Sequence, residues 1–322
     1  MNEDTIPIPI GISSCLLGEK VRYDGGHKLD RFLRDTLGIY VEYVPVCPEV
    51  ECGLPIPREA MHLVGDSSNP RLVTIKSGID YTEQMKLWGQ KRLNDLAGLD
   101  LCGYIFKNRS PSSGMERIKI YTEEGRVRFM NGVGIWARMF MERFPLLPVE
   151  DDGRLHDPLL RENFIERIFV YRRWRESLEK NPTPRVLVDF HTRHKLLIMS
   201  HSPKHYRELG RMVARAGESG IDSDMLIARY HQLLTAALCF KATVKKQTNV
   251  LQHVMGYFKR QLSSDEKQEL LDVIKRYHNG YVPLIVPVTL LNHYVRKYDQ
   301  PYLRDQVYLN PHPLELKLRT HV

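Results

Sequence analysis

Three short apolar runs constrain the first half of this chain more than any other feature. Residues 7–13 (PIPIGIS), 40–46 (YVEYVPV) and 101–107 (LCGYIFK) each have the length of one buried strand, and each empties into a polar loop. The first loop carries Cys15, the second Cys47, Glu49, Glu51 and Cys52, and the third Asn108, Arg109, Ser110, Pro111, Ser112 and Ser113. Helical patterns lie between the runs, at about 28–37 and 80–96, and residues 72–75 read as a further short strand. Strands alternating with helices predict an α/β domain over residues 1–148, a Rossmann-like parallel sheet with helices on both faces. Sites in such sheets form beyond the carboxyl ends of the strands, so the three loops are expected to converge there. Asn131-Gly132-Val133-Gly134 reads as a glycine loop opening a helix, either to present backbone N–H groups to an anion or to allow close packing.

Proline and acidic residues crowd positions 144–158, and the domain boundary is expected there. Beyond it the period becomes helical, over 163–179, 186–200, 206–216, 222–238, 243–261, 264–279 and 286–298, with Ser264 read as a cap and Asn279-Gly280 as a stop. An all-α domain over residues 158–322 follows. Charge separates the halves: residues 1–150 hold 19 Lys and Arg against 20 Asp and Glu, residues 151–322 hold 28 against 19. A basic half joined to a near-neutral one is the profile expected if one part holds a polyanion while the other does chemistry. Lys241, Lys245, Lys246, Lys259, Arg260, Arg296 and Lys297, with His293, Tyr294 and Tyr298, are the residues to grip phosphates and stack on bases; the same pattern also describes solvated helix faces over buried aromatics. His191, His194, His201 and His205 have spacings a metal could use, but no cysteine or carboxylate pattern accompanies them, which favours core packing or phosphate contact. No run approaches the roughly 18 apolar residues that cross a bilayer, and no signal-peptide layout is visible, so a cytoplasmic protein without a membrane partner is expected.

Five cysteines are an odd number, better suited to metal binding or catalysis than to disulfides in a reducing compartment. Cys15 and Cys47, each at the end of a predicted strand, form the sharpest pair, since thiolates suit zinc, copper(I) and iron. Cys102 and Cys239 also read as small buried apolar residues. Glu49 and Glu51 are placed to act as a general base, or to pair with Arg58 and Arg22. Ser110, Ser112 and Ser113 either bind substrate oxygens or form an ordinary turn, and Lys107 and Arg109 bring positive charge.

The stretches GISSCLLGEKVRYDGGHK, VPVCPEVECGLPIPRE and GYIFKNRSPSSGMERIKIY resemble the thiouracil desulfidase family. RHKLLIMSHSPKHYRELGR and LQHVMGYFKRQLSSDEKQEL, with the segment from GYVPLIVPVTLLNHY onward, resemble the second domain fused to that module in tRNA 4-thiouridine desulfidases. The resemblance implies a [4Fe-4S] cluster held by three cysteines, with one iron open to the substrate's sulfur, and replacement of that sulfur by water oxygen without redox change. By it Cys15 and Cys47 are cluster ligands, Glu49 is the acid/base, and Ser110 and Ser112 line the site. The implied partner is tRNA bearing 4-thiouridine, or free thiouracil, and not DNA. The family's third ligand lies in a Ser-Pro-Ser-Cys-Gly loop, where this chain has Ser113. Cys52 is the first candidate to replace it and Cys102 the second, because Cys102 opens its strand about 15 Å or more from the loop. Two other readings follow from the same residues: an RNA-binding protein whose site has lapsed, and a zinc hydrolase using Cys15, Cys47 and Cys52.

Overall fold

Residues 7–180, 183–218 and 220–321 are described by the computed structural model. Its strands are β1 (Ile8–Ser13), β2 (Val41–Val46), β3 (Met61–Val64), β4 (Arg71–Thr74), β5 (Gly103–Phe106), β6 (Ile118–Tyr121), β7 (Val127–Gly132) and β8 (Val149–Asp151). The three apolar runs, joined by β8, pair in parallel in the order β2-β1-β5-β8. Ile10, Ile12, Ile105 and Phe106 have no exposed surface, as expected of strands covered on both faces. Gly11 is dictated by packing, because a Cβ there would lie 2.2 Å from the Tyr104 ring. The Tyr104 hydroxyl in turn accepts from Trp136 Nε1 at 3.1 Å.

Helices α1 (Pro48–Glu51), α2 (Thr82–Ala97) and α3 (Ile135–Arg143) complete this unit, which runs to Asp157. α2 buries Met85, Gly89, Leu93 and Leu96. The helix expected at 28–37 is instead a wide turn over Phe32–Thr36 followed by a tight one over Leu37–Ile39. β8 adds a strand past residue 148, where the domain was expected to end.

A second sheet, in the order β4-β3-β6-β7, was not foreseen beyond its strand at 71–74. β3 and β6 run parallel, and the other pairs are antiparallel. Ile118 and Ile120 turn inward onto Leu63, Leu72, Met85 and Ile135, while Lys119 between them is exposed. One face is therefore core and the other open to solvent.

The second unit, Pro158–Val322, is helical: α4 (Pro158–Lys180), α5 (Pro184–His201), α6 (Pro203–Ala214), α7 (Ser223–Leu238), α8 (Val244–Gly256), α9 (Ser264–His278), α10 (Ile285–Lys297) and α11 (Pro301–Arg304). Trp174, Phe190, Tyr230 and Phe258 anchor its core. Ser263 and Glu266 form a reciprocal capping box at the start of α9, one residue before the expected cap. Three of the four histidines are core: His191 Nδ1 lies 3.0 Å from the Tyr230 hydroxyl, His194 Nδ1 2.8 Å from Phe190 O, and His201 Nε2 3.0 Å from Glu166 Oε2, while the half-buried His205 lies against Ser202 Oγ. Burial pushes His191 down to about 4 and His194 down to about 3, so both rings are neutral near pH 7. Cys102 is fully buried as expected, but Cys239 is exposed at the end of α7. Among the described residues no helix is long and apolar enough to cross a membrane.

Candidate active site

Each loop of the first sheet places its functional side chain by a different device. β1 ends in a single 3-10 turn, Ser14–Leu17, closed by Gly18 at φ 99°, and this turn holds Cys15. Lys28 N–H bonds to Cys15 O at 2.9 Å and fixes the loop that follows. β2 ends at Cys47, which precedes Pro48 at the start of α1, and the Cys47 N–H donates to Glu51 Oε1 at 2.8 Å. Glu51 also faces Arg92 Nε at 3.2 Å. It therefore anchors the Cys47 backbone rather than serving as a base.

Glu49, two residues past Cys47, does point toward the thiol. Its Oε2 lies 3.6 Å from Cys47 Sγ and 3.8 Å from Arg58 Nη2, and its Oε1 accepts from Ser112 Oγ at 2.5 Å. Ser112 Oγ lies 2.9 Å from Ser110 Oγ and 3.4 Å from Ser113 Oγ. The serines thus form a short hydrogen-bonded chain leading to one carboxylate. Arg58 is itself held by Val21 O at 3.0 Å.

Cys15, Cys47, Glu49, Arg58, Lys107, Arg109, Ser110 and Ser113 line one cavity of about 640 Å³ beyond the carboxyl ends of β1, β2 and β5. Lys107 is paired with Asp152 at 2.8 Å on its rim. Burial, with Glu49 adding to it, pushes the Cys47 thiol up to about 12; burial pushes Cys15 up to about 11, against the pull of Lys107. Thiols in such a setting hold their protons until a cation takes the sulfur.

Cys52 does not line this cavity. Five residues at about 100° each carry it roughly 140° around α1 from Cys47. It packs instead with Leu54, Leu63, Leu72 and Met85, its Sγ 3.3 Å from Glu49 O. Cys102 opens β5 at the far end of the sheet, its Sγ 3.6 Å from Asp100 O. Ser113 is in the cavity wall with Cys15 and Cys47, as are Ser13, Ser14 and Ser110.

The glycine loop explains how the serines are held. Gly134 N–H donates to Gly114 O at 2.8 Å, and Ala137 N–H to Ser112 O at 3.2 Å, so these amides hold the serine loop rather than an anion. A Cβ on Gly134 would lie 2.3 Å from Ser112 O. Gly134→Ala is expected to displace the loop and cost about 1–3 kcal/mol, measurable by thermal unfolding; an unchanged melting temperature would show that the loop yields freely.

In the helical unit the proposed phosphate grips divide. Lys246 Nζ caps the carbonyls of His201 and Lys241 at 2.7 and 2.8 Å, and Lys297 pairs with Glu266 at 2.6 Å. The Tyr294 and Tyr298 hydroxyls donate to Glu269 and Glu266; the Tyr294 ring is buried, and the Tyr298 ring is half-buried. Lys245, Lys259, Arg260 and Arg296 are exposed.

Residues 10–152 match the family described as 2-thiouracil desulfurase, and residues 195–313 match a family of unknown function, DUF1722. The uncharacterized protein YbgA of Escherichia coli is 34% identical over 158 residues, 49% of this chain and 93% of YbgA. The uncharacterized protein YbbK of Bacillus subtilis is 29% identical over 136 residues, 41% of this chain and 88% of YbbK. A solved structure, the [4Fe-4S]-dependent thiouracil desulfidase TudS, is 31% identical and aligns with 47% of this chain and 94% of its own, at a TM-score of 0.38. The chain thus belongs to the family of YbgA and carries a 2-thiouracil desulfurase module in its α/β half.

Proposed function

We propose that the α/β unit removes sulfur from a thiolated pyrimidine, with 4-thiouridine in tRNA as the substrate and a [4Fe-4S] cluster as cofactor. The observation that carries this reading is the pair of buried thiols opening on one cavity beside a serine-held carboxylate. The donor set suits the cofactor. Two sulfurs on separate loops face a cavity large enough for both a cluster and a base, and Ser113 offers an oxygen as the third donor.

Cys15 and Cys47 would hold the cluster, with Ser113 beside them, and when bound it would supply a Lewis-acidic iron for the substrate's sulfur. The chain's residues supply the rest. Glu49 takes a proton from the attacking water, and the Ser110–Ser112 pair keeps its carboxylate aimed. The carbon–sulfur bond breaks as the carbon–oxygen bond forms, water provides the oxygen, and sulfide leaves with the protons, so no electron acceptor is needed. The tRNA reading rests on the resemblance of the helical half and on its excess of positive charge.

Anaerobic reconstitution tests this. The parent is expected to bind about four iron and four sulfide per chain and to release sulfide from 4-thiouridine RNA, while Cys47→Ser loses the iron. Ser113→Cys is expected to retain more iron through desalting than the parent, because a thiolate replaces a poorer oxygen ligand. A parent that takes up no iron would give the lead to the RNA-binding reading with a lapsed site, which the serine at position 113 favours.

A further inference from the structure

A second cleft, of about 1090 Å³, adjoins the thiol cavity and shares Met61, Asn108, Arg109 and Pro111 with it. Its floor is the open face of the second sheet. Lys119 and Tyr121 alternate along β6 with the buried Ile118 and Ile120, and His62 precedes the buried Leu63 on β3. The Tyr121 and His62 rings lie with centroids 4.9 Å apart at 30°, a ready aromatic platform. Arg109 and Arg117 flank it, both exposed, with the Arg117 side chain 83% accessible.

The acids on the walls are already engaged. Glu116 pairs with Arg154 at 3.1 Å and, more loosely, with the exposed Arg117 at 3.6 Å, and Asp151 accepts the Arg154 N–H at 2.9 Å. Met130 and Ile75 add exposed apolar surface. Positive charge, stacking rings and apolar rim stand together in a half whose overall charge is close to neutral. This combination suits the phosphates and unstacked bases of a single strand, and folded proteins use open four-stranded sheets with exposed aromatics in the same way.

We propose that this cleft holds the nucleotides adjoining the thiolated one, so that the substrate is a single-stranded or locally opened RNA segment with one base in the thiol cavity. The proposal rests on the desulfidase reading for the identity of that base. Arg117 and Lys119 contact phosphates, and Tyr121 stacks on a neighbouring base. The cleft and the cavity form one continuous wall through Arg109, which makes the path between them short.

The test is fluorescence anisotropy of a labelled single-stranded RNA carrying one 4-thiouridine, with the full chain. Arg117→Glu/Lys119→Glu is expected to weaken binding at least tenfold and to lower the slope of log K against log salt by about 1.4, for two phosphate contacts at roughly 0.7 each. Tyr121→Leu is expected to weaken binding about tenfold with the slope unchanged, because stacking carries no charge. Arg31→Glu/Lys91→Glu, which makes the same charge change outside the cleft, is expected to stay within twofold of the parent. Parent-like binding by the first variant, or an equal loss in the third, would overturn the proposal. Sulfide release separates the two readings. Cleft-dependent RNA binding without sulfide from any thiolated base would support the cleft and remove the desulfidase reading. Turnover of free thiouracil, with no change in RNA binding or RNA turnover in Arg117→Glu/Lys119→Glu, would do the reverse.

Discussion

Glu49→Gln is expected to leave iron uptake intact and to slow sulfide release by about 10²–10⁴-fold, the range a positioned general base contributes. The side chain is largely buried, with one oxygen 2.5 Å from Ser112 Oγ and the other 3.6 Å from Cys47 Sγ. Glutamine keeps the volume and can still accept from Ser112, but it cannot take a proton from water. The loss should therefore appear in kcat rather than in substrate binding. Ser112→Ala leaves the carboxylate in place and removes its nearest donor, so about a tenfold loss is expected, enough to rank aim below proton transfer. The measurement is single-turnover sulfide release in ¹⁸O-labelled water, read with the iron content of each variant. Full turnover by Glu49→Gln would take the proton-transfer role away from Glu49. Loss of iron in that variant would show that the carboxylate supports the metal site instead.

How much of this site could be read in the sequence depends on how local each device is. The runs at 7–13 and 101–107 were legible because a strand buried on both faces is apolar nearly throughout, and 40–46, an edge strand with Glu42 exposed, because it is rich in valine and tyrosine; a parallel sheet then gathers their loops at one end. Cys15, Cys47 and the serines follow from that alone. Cys52 shows the limit: its place in the Cys47 loop is visible, but its direction depends on the single turn Pro48–Glu51. Apart from β4 the second sheet stayed hidden because β3 and β6 are four residues each and β7 is mostly exposed, too little pattern to tell from a loop. With it went the cleft on its open face. The bond from Gly134 N–H to Gly114 O joins residues 20 positions apart, and only the fold brings them together. In the helical half, runs of 12 to 23 residues made the long helices plain. The charges buried among them carried no periodic signal.

Arg319 is the clearest of those charges, and Arg319→Ala is expected to destabilise the helical unit by about 3–5 kcal/mol, the cost of leaving a buried ion pair without one partner. The guanidinium is 3% exposed and binds Glu166 Oε1 at 2.8 Å, Glu162 Oε1 at 3.2 Å and Tyr308 O at 2.7 Å. Glu162, Glu166 and His312 offer ligand atoms within 4.8 Å of one another, a spacing that would suit a metal, but Arg319 already supplies the positive charge between the carboxylates. Burial opposes charge on both acids. Glu166 is nonetheless held below the usual carboxylate range by its hydrogen bond from His201 and by Arg319, whereas burial and the neighbouring Glu166 push Glu162 above that range. The folded unit therefore keeps a proton on Glu162 that the unfolded chain releases near pH 4.5, and its stability is expected to fall as pH rises from there. Far-UV circular dichroism should place the helical transition of Arg319→Ala roughly 10 °C below the parent. Packing and charge are told apart by the triple variant Glu162→Gln/Glu166→Gln/Arg319→Met, which removes every charge at similar volume and should recover much of the loss. If the triple variant unfolds as early as Arg319→Ala, the guanidinium's own hydrogen bonds to Glu162, Glu166 and Tyr308 O, rather than side-chain volume or an unpaired buried charge, pin the C-terminal turns to α4.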